Sequence, residues 1–128
     1  MRILLDTHVL IWALSAPERL DAATRSDIES TANVVLFSAA SIWEIAIKAA
    51  LRRADFDVDP DEIVREAIAA GFLDLAVSSR AAAGIKDLPL LHGDPFDRLL
   101  VAQAIVEQAV LLTADRALAA YPSLVRLI

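Results

Sequence analysis

The sequence predicts an α/β fold in which a central parallel sheet lies between helical layers, and three observations carry that expectation. Short, continuously apolar runs (Ile3-Leu4-Leu5, Val34-Val35-Leu36-Phe37, Val110-Leu111-Leu112) alternate with longer segments of helical periodicity. The composition is alanine-rich and only three glycines interrupt it, which favours helix between the strands. Acidic residues sit at or near the ends of these apolar runs, where parallel α/β sheets collect their ligand-binding side chains.

Arg2 to Asp6 reads as a buried strand ending in a carboxylate, and Thr7 to Leu14, with Val9, Leu10, Trp12 and Ala13 apolar, as the helix that follows. Pro17 punctuates, Leu20 to Thr31 is a mixed polar and apolar helix, and Val34 to Phe37 is a second buried strand. Ser38 or Ser41 opens a helix through Ile42, Trp43, Ile45 and Ile47 to about Arg53, near the acidic turn Asp55 to Asp59. Asp59 as N-cap, Pro60 at the first helical position and Glu62 three residues after the cap spell a capping box for a helix to Ala70, terminated by Gly71. Phe72 to Val77 is a third strand, Ser78-Ser79 starts a short helix ending near Gly84, and Asp87 to Gly93 is a loop. Asp94-Pro95 starts a helix to Gln108, and Val110 to Leu112 is a strand ending at Thr113. Asp115 opens a last short helix to Ala120, and beyond Pro122 a terminal strand covers Leu124 to Leu127.

With 128 residues the chain fits one domain, 1–128, with a sizeable core. Charges interrupt every hydrophobic run before the roughly 18 residues a membrane span needs, despite a mean hydropathy of +0.53. The N-terminal apolar run breaks too early for a signal-peptide core. The absence of cysteine excludes disulfides and thiolate chemistry and fits a cytoplasmic protein. A hydrophobic fraction of 57% exceeds the usual roughly 45–50%, and the excess suits a subunit or partner interface. A net charge of −6 argues against binding nucleic acid through a broad basic surface, so such a substrate needs metal ions and local arginines as a bridge.

Asp6, Glu44, Asp97 and Asp115 are the candidate site. Asp6 and Asp115 follow strands, Glu44 lies about two helical turns after the second strand, and Asp97 lies in the first turn of the helix before the fourth. Hard divalent cations such as Mg²⁺ and Mn²⁺ prefer carboxylate oxygens, and about four carboxylates suit two ions better than one. Such a site activates water and stabilises phosphoryl chemistry. Local alternatives stand beside this reading. Asp97 is placed to complement a helix N-terminus capped by Asp94, Glu44 to complete a Ser-x-x-Glu box with Ser41, and Asp115 to act as an N-cap. Asp6, directly after Ile3-Leu4-Leu5, has the least local explanation. His8 reads as a packed or surface residue, His92 as a solvated loop residue, and Trp12 and Trp43 as core or interface. Arg98 and Arg116, each one residue past a proposed ligand, are the candidates for phosphate contact.

At Leu4-Leu5-Asp6-Thr7-His8, Ser41-Ile42-Trp43-Glu44-Ile45, the block from Asp94 to Ala104, and Leu112-Thr113-Ala114-Asp115, the chain resembles the PIN-domain family. Within that family it is most similar to the VapC toxins of bacterial toxin–antitoxin pairs. The resemblance implies a three-layer α/β/α domain and an Mg²⁺- or Mn²⁺-dependent endoribonuclease that leaves a 5′-phosphate and a 3′-hydroxyl. It implies Asp6 and Asp97 as principal metal ligands, Glu44 and Asp115 completing the set, and Thr113 beside the site, and Asp94 matches a motif position; Thr7, Arg98 and Arg116 join these as candidates to surround the ligands or contact substrate. It further implies a homodimer inhibited by a cognate antitoxin. Two other classes remain as alternatives: an aspartyl-phosphate phosphatase, disfavoured because His8 stands where its second acid is expected, and a non-catalytic acidic pocket for a partner protein.

Overall fold

Five strands, β1 (Arg2–Leu5), β2 (Val34–Ser38), β3 (Leu73–Leu75), β4 (Val110–Thr113) and β5 (Val125–Leu127), form one sheet in the order β3-β2-β1-β4-β5. Every pairing is parallel, as continuous apolar strands separated by helices require. The computed structural model describes residues 1–51, 57–90, 93–121 and 125–128. The helices are α1 (Thr7–Ser15), α2 (Ala22–Glu29), α3 (Ala39–Ala50), α4 (Pro60–Ala69), α5 (Ser79–Gly84) and α6 (Pro95–Glu107). Short 3₁₀ turns occupy Pro17–Arg19, Ile85–Asp87 and Arg116–Ala120.

The strands divide their side chains between two cores, because successive residues of a strand point to opposite faces. Ile3, Leu5, Val35, Phe37 and Leu112 face one way and pack with Val9 and Leu10 of α1, Ile28 of α2, Ile45 of α3 and Ile63 and Ala67 of α4. Leu4, Leu36 and Leu111 face the other way and meet Leu100, Val101 and Ala104 of α6, with Leu118 and Tyr121. The expected three-layer α/β/α architecture is therefore present. Chain order reverses at β1, whose neighbours are β2 on one side and β4 on the other, and the carboxyl ends of β1 and β4 border that switch point.

Boundaries differ from the sequence expectations at identifiable places. The helix expected over Leu20–Thr31 is shorter, Ala22–Glu29, since Asp21 stands at its N-cap position and Ser30 at its C-cap. α3 ends at Ala50 with Leu51 as its C-cap, while its expected continuation to about Arg53 falls on residues 52–56, outside those described. The third strand is Leu73–Leu75 within the longer segment expected. Residues 116–120 form a 3₁₀ turn, and His92, Pro122 and Leu124 lie outside the described residues. Asp59 caps α4 by accepting from the Asp61 N–H at 3.0 Å. Gly71 ends the α4 segment at φ +87°, a left-handed conformation natural to glycine.

Candidate metal centre at the sheet edge

The chain turns from β1 into α1 at Asp6, which places a buried carboxylate at the head of a helix. Asp6 is 5% exposed. Its Oδ1 accepts from the Val9 N–H at 2.8 Å, so Asp6 caps α1, and its Oδ2 accepts from the Thr113 hydroxyl at the end of β4. Burial pushes the Asp6 carboxyl above its ordinary pKa. The Thr113 and Val9 hydrogen bonds and the nearby His8 pull it down, while Asp115 adds like-charge repulsion. Thr113 is fully buried and also accepts from the Asp115 N–H at 3.0 Å, so one hydroxyl joins the residues after β1 and β4.

Glu44 enters from α3. That helix is capped by Ser38, whose hydroxyl accepts from the Ala40 N–H at 3.0 Å, so Ser41 is not the cap and Glu44 is not its capping-box partner. Instead Glu44 Oε1 lies 2.8 Å from the Thr7 hydroxyl, which is also 3.0 Å from Ser41 Oγ, and Glu44 Oε2 pairs with Lys48 Nζ at 2.9 Å. Asp97 enters from the first turn of α6. Asp94 is the N-cap, accepting from the N–H groups of Phe96 at 2.8 Å and Asp97 at 3.3 Å, with Pro95 at the first position as the sequence suggested. Asp115 is an exposed N-cap that accepts from the Ala117 N–H at 2.9 Å.

All four carboxylates line one cleft of ≈ 170 Å³, together with Thr7, His8, Lys48 and Asp94. Capping and cleft lining are thus compatible roles for Asp115, and Asp6 combines both as well. The donor set is hard, consisting of carboxylate and hydroxyl oxygens, and its most buried acid is held by two neutral donors, so its chemistry fits a divalent cation. Among the described residues no three acidic or histidine side chains form a ready-made metal cage. Like charges repel, and hydrogen bonds or the Lys48 ammonium hold Asp6, Glu44 and Asp115 in place.

Other expectations fare unequally. Arg98 does not line the cleft. Its Nη2 donates to the carbonyls of Ile85 at 3.3 Å and Leu88 at 3.2 Å, bracing the segment after α5 rather than facing the cleft. The reason is helical: one residue past Asp97 is about 100° further round α6. Arg116 is exposed and does not line the cleft. His8, by contrast, is on the cleft wall, its ring 6.1 Å from that of Trp12. Lys48 escaped the sequence reading, although its spacing of four from Glu44 on a helix was the available signal. A larger cleft of ≈ 510 Å³ lies against Trp12, Arg19, Asp21, Asp27 and Arg126. Its two arginines are matched by two aspartates, and Arg126 pairs with Asp27 at 2.9 Å, so it has no surplus charge for an anion.

A parallel sheet in this order, with acidic side chains from four separate segments gathered at its carboxyl edge, defines a class of acidic-site α/β domains. The chain belongs to the PIN-domain family, whose model matches residues 3–124. It is 32% identical over 117 residues to Ribonuclease VapC22 of Mycobacterium tuberculosis, a match covering 91% of this chain and 88% of the relative. Its fold is similar to that of a chain in the crystal structure of VapBC2 from Rickettsia felis bound to a DNA fragment from their promoter. There the TM-score is 0.69 at 17% identity, covering 98% of each chain.

Proposed function

We propose that this chain is an endoribonuclease and the toxin of a toxin–antitoxin pair, hydrolysing RNA phosphodiesters with water activated by Mg²⁺ or Mn²⁺. The observation that carries this reading is the convergence of Asp6, Glu44, Asp97 and Asp115 on one cleft at the switch point of the sheet. The 32% identity to a protein named a ribonuclease supports RNA as the substrate. In this reading Asp6 and Asp97 hold the ion, and Glu44 and Asp115 complete the set. When bound, Mg²⁺ or Mn²⁺ supplies a lowered water pKa and Lewis acidity toward the phosphodiester.

The chain's own residues supply orientation. The Val9 N–H and the Thr113 hydroxyl fix both oxygens of Asp6, and Thr7 fixes one oxygen of Glu44. Asp94, by capping α6, sets where that helix begins and hence where Asp97 stands. The cleft walls are fixed by a packed sheet edge, so these groups need little reorganisation when charge develops on the substrate.

The proposal includes a single working domain, a cytoplasmic location, a homodimer and an antitoxin partner. No helix among the described residues is long and apolar enough to cross a membrane. Trp43, Ile47 and Leu51 are exposed at 61%, 37% and 68% and recur every four residues along and just past α3, a stripe suited to burial in an assembly. Purified wild-type protein should cut RNA to 5′-phosphate and 3′-hydroxyl ends, whereas Asp6→Asn and Asp97→Asn should not, with circular dichroism unchanged. Full activity in both variants rejects the nuclease site, and metal binding without turnover of any RNA tested identifies an acidic binding module instead.

A further inference from the structure

The nuclease reading leaves one problem of charge, because five carboxylates (Asp6, Glu44, Asp94, Asp97 and Asp115) line the cleft that must admit a phosphodiester. Neither arginine favoured by the sequence addresses it. Arg98 is committed to the Ile85 and Leu88 carbonyls, and Arg116 does not line the cleft. Among the described residues, Lys48 is the one lysine or arginine that does.

Resting on the nuclease reading, we propose that Lys48 is a substrate-binding residue whose ammonium contacts a phosphate oxygen of the bound RNA strand. Lys48 stands one turn beyond Glu44 on α3, its Nζ 2.9 Å from Glu44 Oε2. Its side chain is 26% exposed and that of Glu44 12%, so lysine is the more exposed side chain of the pair. Its bond to Glu44 holds the ammonium beside the acidic set. Glu44 thereby both contributes to the acidic set and aims the cation beside it. The alternative is a simple helix pair with Glu N-terminal to Lys at i,i+4, which on a surface contributes little. Two features oppose that reading: the pair is partly buried, and it lies inside the cleft with the other carboxylates.

The salt dependence of RNA binding separates the two. A single-stranded RNA that the wild-type protein cleaves is titrated with wild-type, Lys48→Gln and Lys48→Arg proteins in Ca²⁺, its integrity checked on a gel, over a series of NaCl concentrations. Loss of one phosphate contact should reduce the slope of log K against log salt by about 0.7. It should also weaken binding about tenfold. Lys48→Arg should keep the wild-type slope, and in cleavage assays Lys48→Gln should raise KM more than it lowers kcat. If Lys48→Gln retains the wild-type slope and affinity while only its melting temperature or metal affinity moves, Lys48 is a structural partner of Glu44 and the inference is overturned. If the wild-type protein neither binds nor cuts any RNA, the nuclease reading itself fails and takes this inference with it.

Discussion

Asp6 is the most buried acid of the site, and its environment fixes the sign of two predictions. Because burial raises its folded-state pKa above the ordinary 3.8, at pH values between 3.8 and the folded value the metal-free folded protein holds a proton that the unfolded chain has released. The stability associated with neutral Asp6 is fully present below 3.8 and is lost as pH rises through the folded value. Asp6→Asn removes that loss while keeping an oxygen to cap α1. In EDTA at neutral pH the variant should melt at or above the wild-type temperature, with the difference fading in acid; a lower melting temperature at neutral pH would count against a strained carboxylate. Thr113→Val removes the hydroxyl shared by Asp6 and the Asp115 N–H. It should cost about 1–3 kcal/mol in chemical denaturation and reduce RNA cleavage, with Thr113→Ser recovering most of both. Local sequence reading is weakest at this scale. It offered capping explanations for Glu44 and Asp115 and none for Asp6, yet Asp6 caps α1 while Glu44 bonds to Thr7 and Lys48. A cap depends on where a helix starts, and of the two serines that could open α3 it is Ser38, not Ser41, that caps it.

The helices that deliver the acids are tied together by buried polar contacts. Ser38 caps α3, and its hydroxyl also donates to Oε1 of Gln103, a residue of α6 only 2% exposed, whose Nε2 is 3.4 Å from the Ala76 carbonyl. The helix bearing Glu44 is thus joined to the helix bearing Asp97. Ser38→Ala and Gln103→Leu should each destabilise the fold by about 1–3 kcal/mol. The double variant should lose less than the sum by about 0.5–3 kcal/mol, and strict additivity in denaturant titrations would show the two sites to be independent. Gly71 provides a contrasting element-level test. It adopts φ +87°, and an added Cβ would meet nothing within 4 Å, so Gly71→Ala should cost only backbone strain, about 1–2 kcal/mol, with no loss of RNA cleavage.

Across the whole molecule, a metal that binds the folded chain and not the unfolded one must stabilise it by mass action. Mn²⁺ at a hundredfold its Kd should add about 2.7 kcal/mol to wild-type stability. Asp97→Asn should largely lose that gain, and an equal gain in both proteins would place the metal elsewhere. Much of this molecule is written locally. Apolar runs of strand length marked β1, β2 and β4; Asp59-Pro60 and Asp94-Pro95 marked the starts of α4 and α6; and the blocks around Asp6, Glu44, Asp97 and Asp115 marked the family. These signals are legible because backbone geometry, capping and burial act over a few consecutive residues. Tertiary structure alone decided which way side chains point once the helices pack: that Arg98 turns to the Ile85 and Leu88 carbonyls, that Thr113 reaches Asp6, and that Lys48 enters the acidic cleft. Those outcomes depend on contacts between groups as much as 107 residues apart in the chain. They are set by the angle at which each helix lies on the sheet, which no local window of sequence contains.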